Sequence, residues 1–118
     1  MGKRILIADD SRLVLTMLGK ALQQAGFTVI SAAGGEEALS ILRKDKVDAV
    51  VLDAVMPQTD GFEACRLIRA DPALASLPVM ILTGSTSAAA QQSQADLIIE
   101  KTASFGNVIS ELKARLGE

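Results

Sequence analysis

The chain has 118 residues, 49% of them hydrophobic, and twelve Lys and Arg side chains stand against fourteen Asp and Glu for a formal net charge of −2. That length and apolar content suit one domain, residues 1–118, with a continuous core, and the charge leaves no strong positive field to hold nucleic acid by its phosphates. A single cysteine, Cys65, excludes a disulfide framework and a thiolate metal cluster, and the lack of Trp and Tyr removes the stacking platforms of single-strand binders.

The N-terminal residues Met1-Gly2-Lys3-Arg4 lead directly into the short apolar run Ile5-Leu6-Ile7. No apolar run reaches membrane-spanning length, so a cytoplasmic protein without a membrane partner is expected. Arg4–Ala8 reads as the first strand. Helical spacing follows over Leu13–Ala25, with Val14, Leu18, Ala21 and Leu22 on one stripe and Gly26 in the place of a C-terminal cap. Gly19 inside that helix costs about 1 kcal/mol relative to Ala, which close packing would explain.

Further β-branched runs predict strands over Phe27–Ser31, Ala49–Leu52, Val79–Leu82 and Leu97–Ile99. Between and after them, helical spacing covers Glu36–Lys44, Phe62–Ala70, a weaker stretch near Ala88–Gln94, and Phe105–Leu116. Gly34-Gly35 lacks the rest of a phosphate-binding fingerprint and reads as a plain loop. Pro72 and Pro78 bracket the exit of the third helix, and Ser104 stands where it would cap the last. Apolar runs without polar alternation suit strands covered on both faces, and right-handed crossovers then give a parallel sheet between two helical layers. The expected fold is a three-layer α/β/α domain with a five-stranded parallel sheet.

In such a sheet ligands bind beyond the carboxyl ends of the strands. Asp9 and Asp10 follow the first strand, Asp53 the third, Thr83 the fourth and Lys101 the fifth. One carboxylate at a strand end is ordinarily a helix cap or a solvated group. Clustered carboxylates are costlier, since two of them about 5 Å apart repel by about 3 kcal/mol at an effective dielectric near 20. Something positive should offset that repulsion. With no His and one Cys, oxygen ligands point to a hard cation such as Mg²⁺ and away from zinc. A metal beside a carboxylate, with an ammonium and a hydroxyl near it, suits attack of that carboxylate on phosphorus.

The Asp9-Asp10 pair, the run Asp53-Ala54-Val55-Met56-Pro57-Gln58-Thr59-Asp60-Gly61, the Thr83-Gly84 pair and Lys101 together resemble the response-regulator receiver family, in its single-domain, chemotaxis-regulator-like form. The resemblance spans the whole chain and implies a flavodoxin-like (βα)5 fold. It implies that Asp53 accepts a phosphoryl group, and that Mg²⁺ is held by Asp9, Asp10, Asp53 and the backbone carbonyl of Val55. Thr83 would hydrogen-bond the phosphoryl group, small Gly84 would leave room for it, and Lys101 would pair with Asp53 and then with phosphate. The donor would be a histidine kinase or a histidine phosphotransfer protein, with Leu13 and Leu15 of the first helix as a small docking patch. The protein would act on itself and not as an enzyme on other substrates.

Three departures from the family pattern stand out. Thr102 follows Lys101 where the family carries proline, and a cis bond there would cost several kcal/mol. Ile98 replaces the aromatic residue three positions before the lysine. The 18-residue step from Thr83 to Lys101 is short for the family, and its segment Ser85–Gln94 is poor in large apolar groups, so the fourth helix is expected to be shortened and weakly held. The missing proline and aromatic favour a second reading, a receiver-like binding module that does not turn over phosphate, which the intact acidic triad, Thr83 and Lys101 oppose. A haloacid-dehalogenase-type phosphatase is disfavoured, because Val55 occupies the place of that family's second Asp.

Overall fold

The structure is a computed structural model that describes residues 2–84, 94–100 and 105–117. Five strands form one parallel sheet: β1 (Arg4–Ala8), β2 (Thr28–Ala32), β3 (Ala49–Asp53), β4 (Val79–Thr83) and β5 (Leu97–Glu100), in the order β2-β1-β3-β4-β5. Four helices are described, α1 (Arg12–Gln24), α2 (Gly35–Lys44), α3 (Gly61–Ala70) and α4 (Phe105–Leu116). The three-layer α/β/α architecture is therefore the one expected, with each described element within one residue of its sequence-based limits. The helix expected near Ala88–Gln94 and the capping role of Ser104 lie outside the described residues, apart from Gln94 itself, which is not helical. Among the described residues no helix is long and apolar enough to cross a membrane.

Alternation along the central strands divides the core in two. Leu6, Val50, Leu52 and Ile81 face Leu39 and Leu42 of α2 and Ile68 of α3, whereas Ile5, Ile7, Val51 and Met80 face Leu18 and Leu22 of α1 and Leu112 of α4. All five residues of β3 and of β4 are buried, which accounts for their unbroken apolar runs. Each large side chain so enclosed contributes about 1.5–3 kcal/mol relative to exposure.

The helix starts are set by local chemistry. The Ser11 hydroxyl accepts from the Val14 N–H at 3.3 Å at the head of α1, and the Asp60 carboxylate accepts from the Glu63 N–H at 2.8 Å at the head of α3. Gly26 has φ of 100°, the left-handed conformation expected after a helix end. Gly34-Gly35 is not a plain loop. Gly34 caps α2 and Gly35 is its buried first residue, where a Cβ would collide with the Thr59 carbonyl oxygen.

At the opposite edge two aspartates repeat one device. Asp48, just before β3, donates its N–H to the Arg4 carbonyl and accepts the Arg4 N–H on its carboxylate, both at 2.7 Å. Asp96, just before β5, does the same with Val79, at 2.9 and 2.7 Å. Each reciprocal pair satisfies backbone groups where a strand begins and fixes the register of the neighbouring strands.

Candidate functional site

The strand order puts β1 next to β3, while the chain runs from β1 outward to β2 and then returns to β3 on the other side. At that reversal the loops beyond the two strands diverge and leave a crevice. Asp9 and Asp10 leave β1 directly into it, and Asp53 is the last residue of β3. One ligand atom from each of the three lies within 4.8 Å of the others. Asp9 and Asp53 are buried, at 3% and 4% exposure, and Asp10 is exposed.

Local bonds hold these groups in place. The Asp9 carboxylate accepts the Ser11 N–H at 2.8 Å, and its own N–H reaches the Ala32 carbonyl at 3.2 Å. The Asp53 carboxylate accepts the Val55 N–H at 3.5 Å. Behind it, Ala54 donates to the Leu82 carbonyl at 2.8 Å and Gly61 donates to the Ala54 carbonyl at 3.0 Å. A Cβ on Gly61 would collide with the Asp53 carbonyl oxygen, so only glycine lets α3 start this close to the strand. Buried Met56 anchors the loop between them in the core.

Thr83, buried at 6% exposure, ends β4 beside β3, in register with Glu100 of β5 and with Asp53 paired to Leu82. Gly84 follows it, exposed, with open space where a side chain would be. The structure thus brings Asp9, Asp10 and Asp53 together and places Thr83 at the end of the adjoining strand. Lys101 and Thr102 lie outside the described residues. Ile98 is half-buried in β5.

The Val55 side chain is 76% exposed at the site's rim. Leu13 is 67% exposed, but Leu15 is half-buried against the α1 side of the core, so Leu13 and Leu15 do not form one open patch. Leu15 instead lines a depression with Asp9, Asp10, Arg12 and Glu37, and Met17, 53% exposed, is the second large apolar group on the outer face of α1. Sequence reasoning missed Met17. Four residues after Leu13, it shares that face of the helix. Cys65 is fully buried, and burial pushes its thiol pKa up, in keeping with a filler role.

Three carboxylates this close repel one another by about 3 kcal/mol per pair at an effective dielectric near 20. Two of them are also withdrawn from water. An all-oxygen anionic set of this kind fits a hard divalent cation and no softer metal.

Comparison with known proteins agrees with this geometry. The model of the response regulator receiver domain family matches residues 5–113. The response regulator MprA of Mycolicibacterium vanbaalenii is 36% identical over 120 residues, covering 98% of this chain and 51% of that protein. The alkaline phosphatase synthesis transcriptional regulatory protein PhoP of Bacillus subtilis is 39% identical over 83 residues, covering 70% and 34%. The chain thus spans about half or less of the length of these curated relatives. The receiver domain of a signal transduction histidine kinase from Syntrophus aciditrophicus superposes with a TM-score of 0.94 at 28% identity, covering 98% of this chain and 91% of that one. A buried acidic crevice at the sheet's reversal point and a family match along nearly the whole chain lead to one conclusion: the chain belongs to the response regulator receiver domain family, the phosphoryl-accepting switches of two-component signalling.

Proposed function

We propose that Asp53 is the phosphoryl acceptor of this domain and that a phosphohistidine on a kinase or phosphotransfer protein is the donor. The observation that carries the reading is the convergence of buried Asp9, exposed Asp10 and buried Asp53 at the end of β3. An Asp53 carboxylate oxygen attacks phosphorus, the bond from phosphorus to the donor nitrogen breaks, and an acyl phosphate is left on the side chain. Asp9, Asp10, Asp53 and the Val55 carbonyl are the groups that would hold Mg²⁺, which when bound supplies charge neutralisation for the phosphoryl oxygens. The Thr83 hydroxyl is assigned to a phosphoryl oxygen and Lys101 to the remaining charge.

The domain spans residues 1–118 in this reading, acts in the cytoplasm and changes only itself, with water later hydrolysing the acyl phosphate. Its partners are proteins. PhoP is a transcriptional regulatory protein by name, but it is a longer chain, and the charge of the present one gives no support to direct DNA contact. The donor is proposed to dock over Leu13, with Leu15 contributing to the depression beside the acidic groups.

Intact-mass measurement after incubation with acetyl phosphate tests the reading. A gain of one phosphoryl group in Mg²⁺ and none in EDTA is expected. No gain under either condition favours the alternative, a binding module that does not turn over phosphate.

A further inference from the structure

At the edge of the sheet opposite the acidic crevice, the end of α2 and the two connections that lead into β3 and β4 enclose a groove of about 430 Å³. One wall carries Arg43, Lys44 and Lys46, all exposed, against the single carboxylate Asp45. None of the three cations makes an ion pair with another described residue. The floor is apolar, made by buried Leu42 and Leu74 and half-buried Val47 and Leu77.

The far wall is built rigidly. Between α3 and β4, Leu74 donates to the Asp71 carbonyl at 2.9 Å and Leu77 to the Leu74 carbonyl at 3.0 Å. The Arg69 guanidinium reaches the carbonyls of Ala75 and Leu77 at 3.0 and 2.7 Å and is itself fixed by Asp96 at 2.8 Å. A groove held open in this way costs an incoming ligand little ordering. Basic residues in the last turn of a helix also complement its dipole, which accounts for Arg43 and Lys44 taken alone. It accounts for neither Lys46, which lies beyond the helix, nor the apolar floor between the cations and Leu77.

We propose that this groove docks an acidic protein segment bearing apolar side chains, its carboxylates facing Arg43, Lys44 and Lys46 and its apolar groups resting on Val47, Leu74 and Leu77. Charge complementarity selects the partner, and the floor separates it from a simple polyanion. Asp53 lies at the other end of β3, so the acceptor stays open while the groove is filled. The inference does not depend on the phosphoryl reading.

Fluorescence anisotropy with a short labelled peptide of Glu, Asp and Leu is the test. Saturable, salt-sensitive binding is expected, with a Kd weakened at least about tenfold by Lys44→Glu combined with Lys46→Glu, and similarly by Leu→Ser exchange in the peptide. Unchanged melting of the double variant shows that its fold persists. Amide shifts in the wild-type protein should cluster at residues 42–47 and 73–77. Absence of saturable binding, undiminished binding to the charge-reversed variant, shifts clustered elsewhere, or preference for phosphatidylglycerol vesicles over the peptide would overturn the proposal.

Discussion

Single residues between β3 and the first turn of α3 hold Asp53, the proposed acceptor, in place, and two of them make opposite predictions. Gln58 has φ of 68°, a left-handed conformation that a side chain other than glycine's adopts only under constraint. Gln58→Gly relieves that strain at some cost in unfolded-state entropy, so a net stabilisation of about 0.5–1 kcal/mol is expected from urea unfolding. Gly61→Ala forces a methyl group onto the Asp53 carbonyl, where backbone meets backbone and nothing flexible can yield. A loss of about 2 kcal/mol or more is expected, together with slower labelling by acetyl phosphate, because the displaced peptide carries the proposed acceptor. The Asp-Gly pair was legible in the sequence as part of a motif. The strain at Gln58 was not, because a dihedral angle is set by how both loop ends are anchored and leaves no composition signal.

Elements that the sequence showed most clearly were those whose apolar period matches their burial. β3 and β4 are buried at every position and read as unbroken apolar runs, and α2 and α3 bury the faces their spacing marks. On α1, Gly19 looked like an inconsistency. It lies against the sheet, where a Cβ would sit 3.6 Å from Ile7 Cδ1 and 3.7 Å from Val29 Cγ1, ordinary contact distances. Close packing therefore does not demand glycine, and Gly19→Ala is expected to raise stability by about 1 kcal/mol, measured by thermal or urea unfolding.

The Arg69–Asp96 link joins α3 to the start of β5, and its two partners are 27 residues apart in sequence. Such separation hid it from pattern reading, although an Asp directly before a strand recurs at Asp48 and Asp96. The Arg69 side chain is only 16% exposed. Arg69→Ala should cost about 2 kcal/mol by loss of a charged group bonded to several acceptors, and Arg69→Lys should recover only part of it, because one ammonium cannot span the same carbonyls. Urea midpoints of the two variants provide the comparison.

For the molecule as a whole, the proposed cation site in the acidic crevice predicts that stability depends on divalent cations. Folding brings Asp9, Asp10 and Asp53 within reach of one ion, and the unfolded chain offers no such site. At a free Mg²⁺ concentration ten times the dissociation constant, linkage gives about 1.4 kcal/mol, enough to raise Tm by several degrees. Asp10→Ala should lose most of that rise and melt at or above the wild type in EDTA, since removing an exposed charge relieves repulsion without opening a cavity. Equal shifts in both proteins would place the ion elsewhere.

The residue that receives the phosphoryl group can be read directly. Borohydride reduces an aspartyl phosphate to homoserine, so reduction after acetyl phosphate labelling, followed by peptide mass mapping, marks the acceptor. The account predicts homoserine at position 53 alone and unreduced Asp9 and Asp10. Homoserine at either of those positions, or at none, would contradict it.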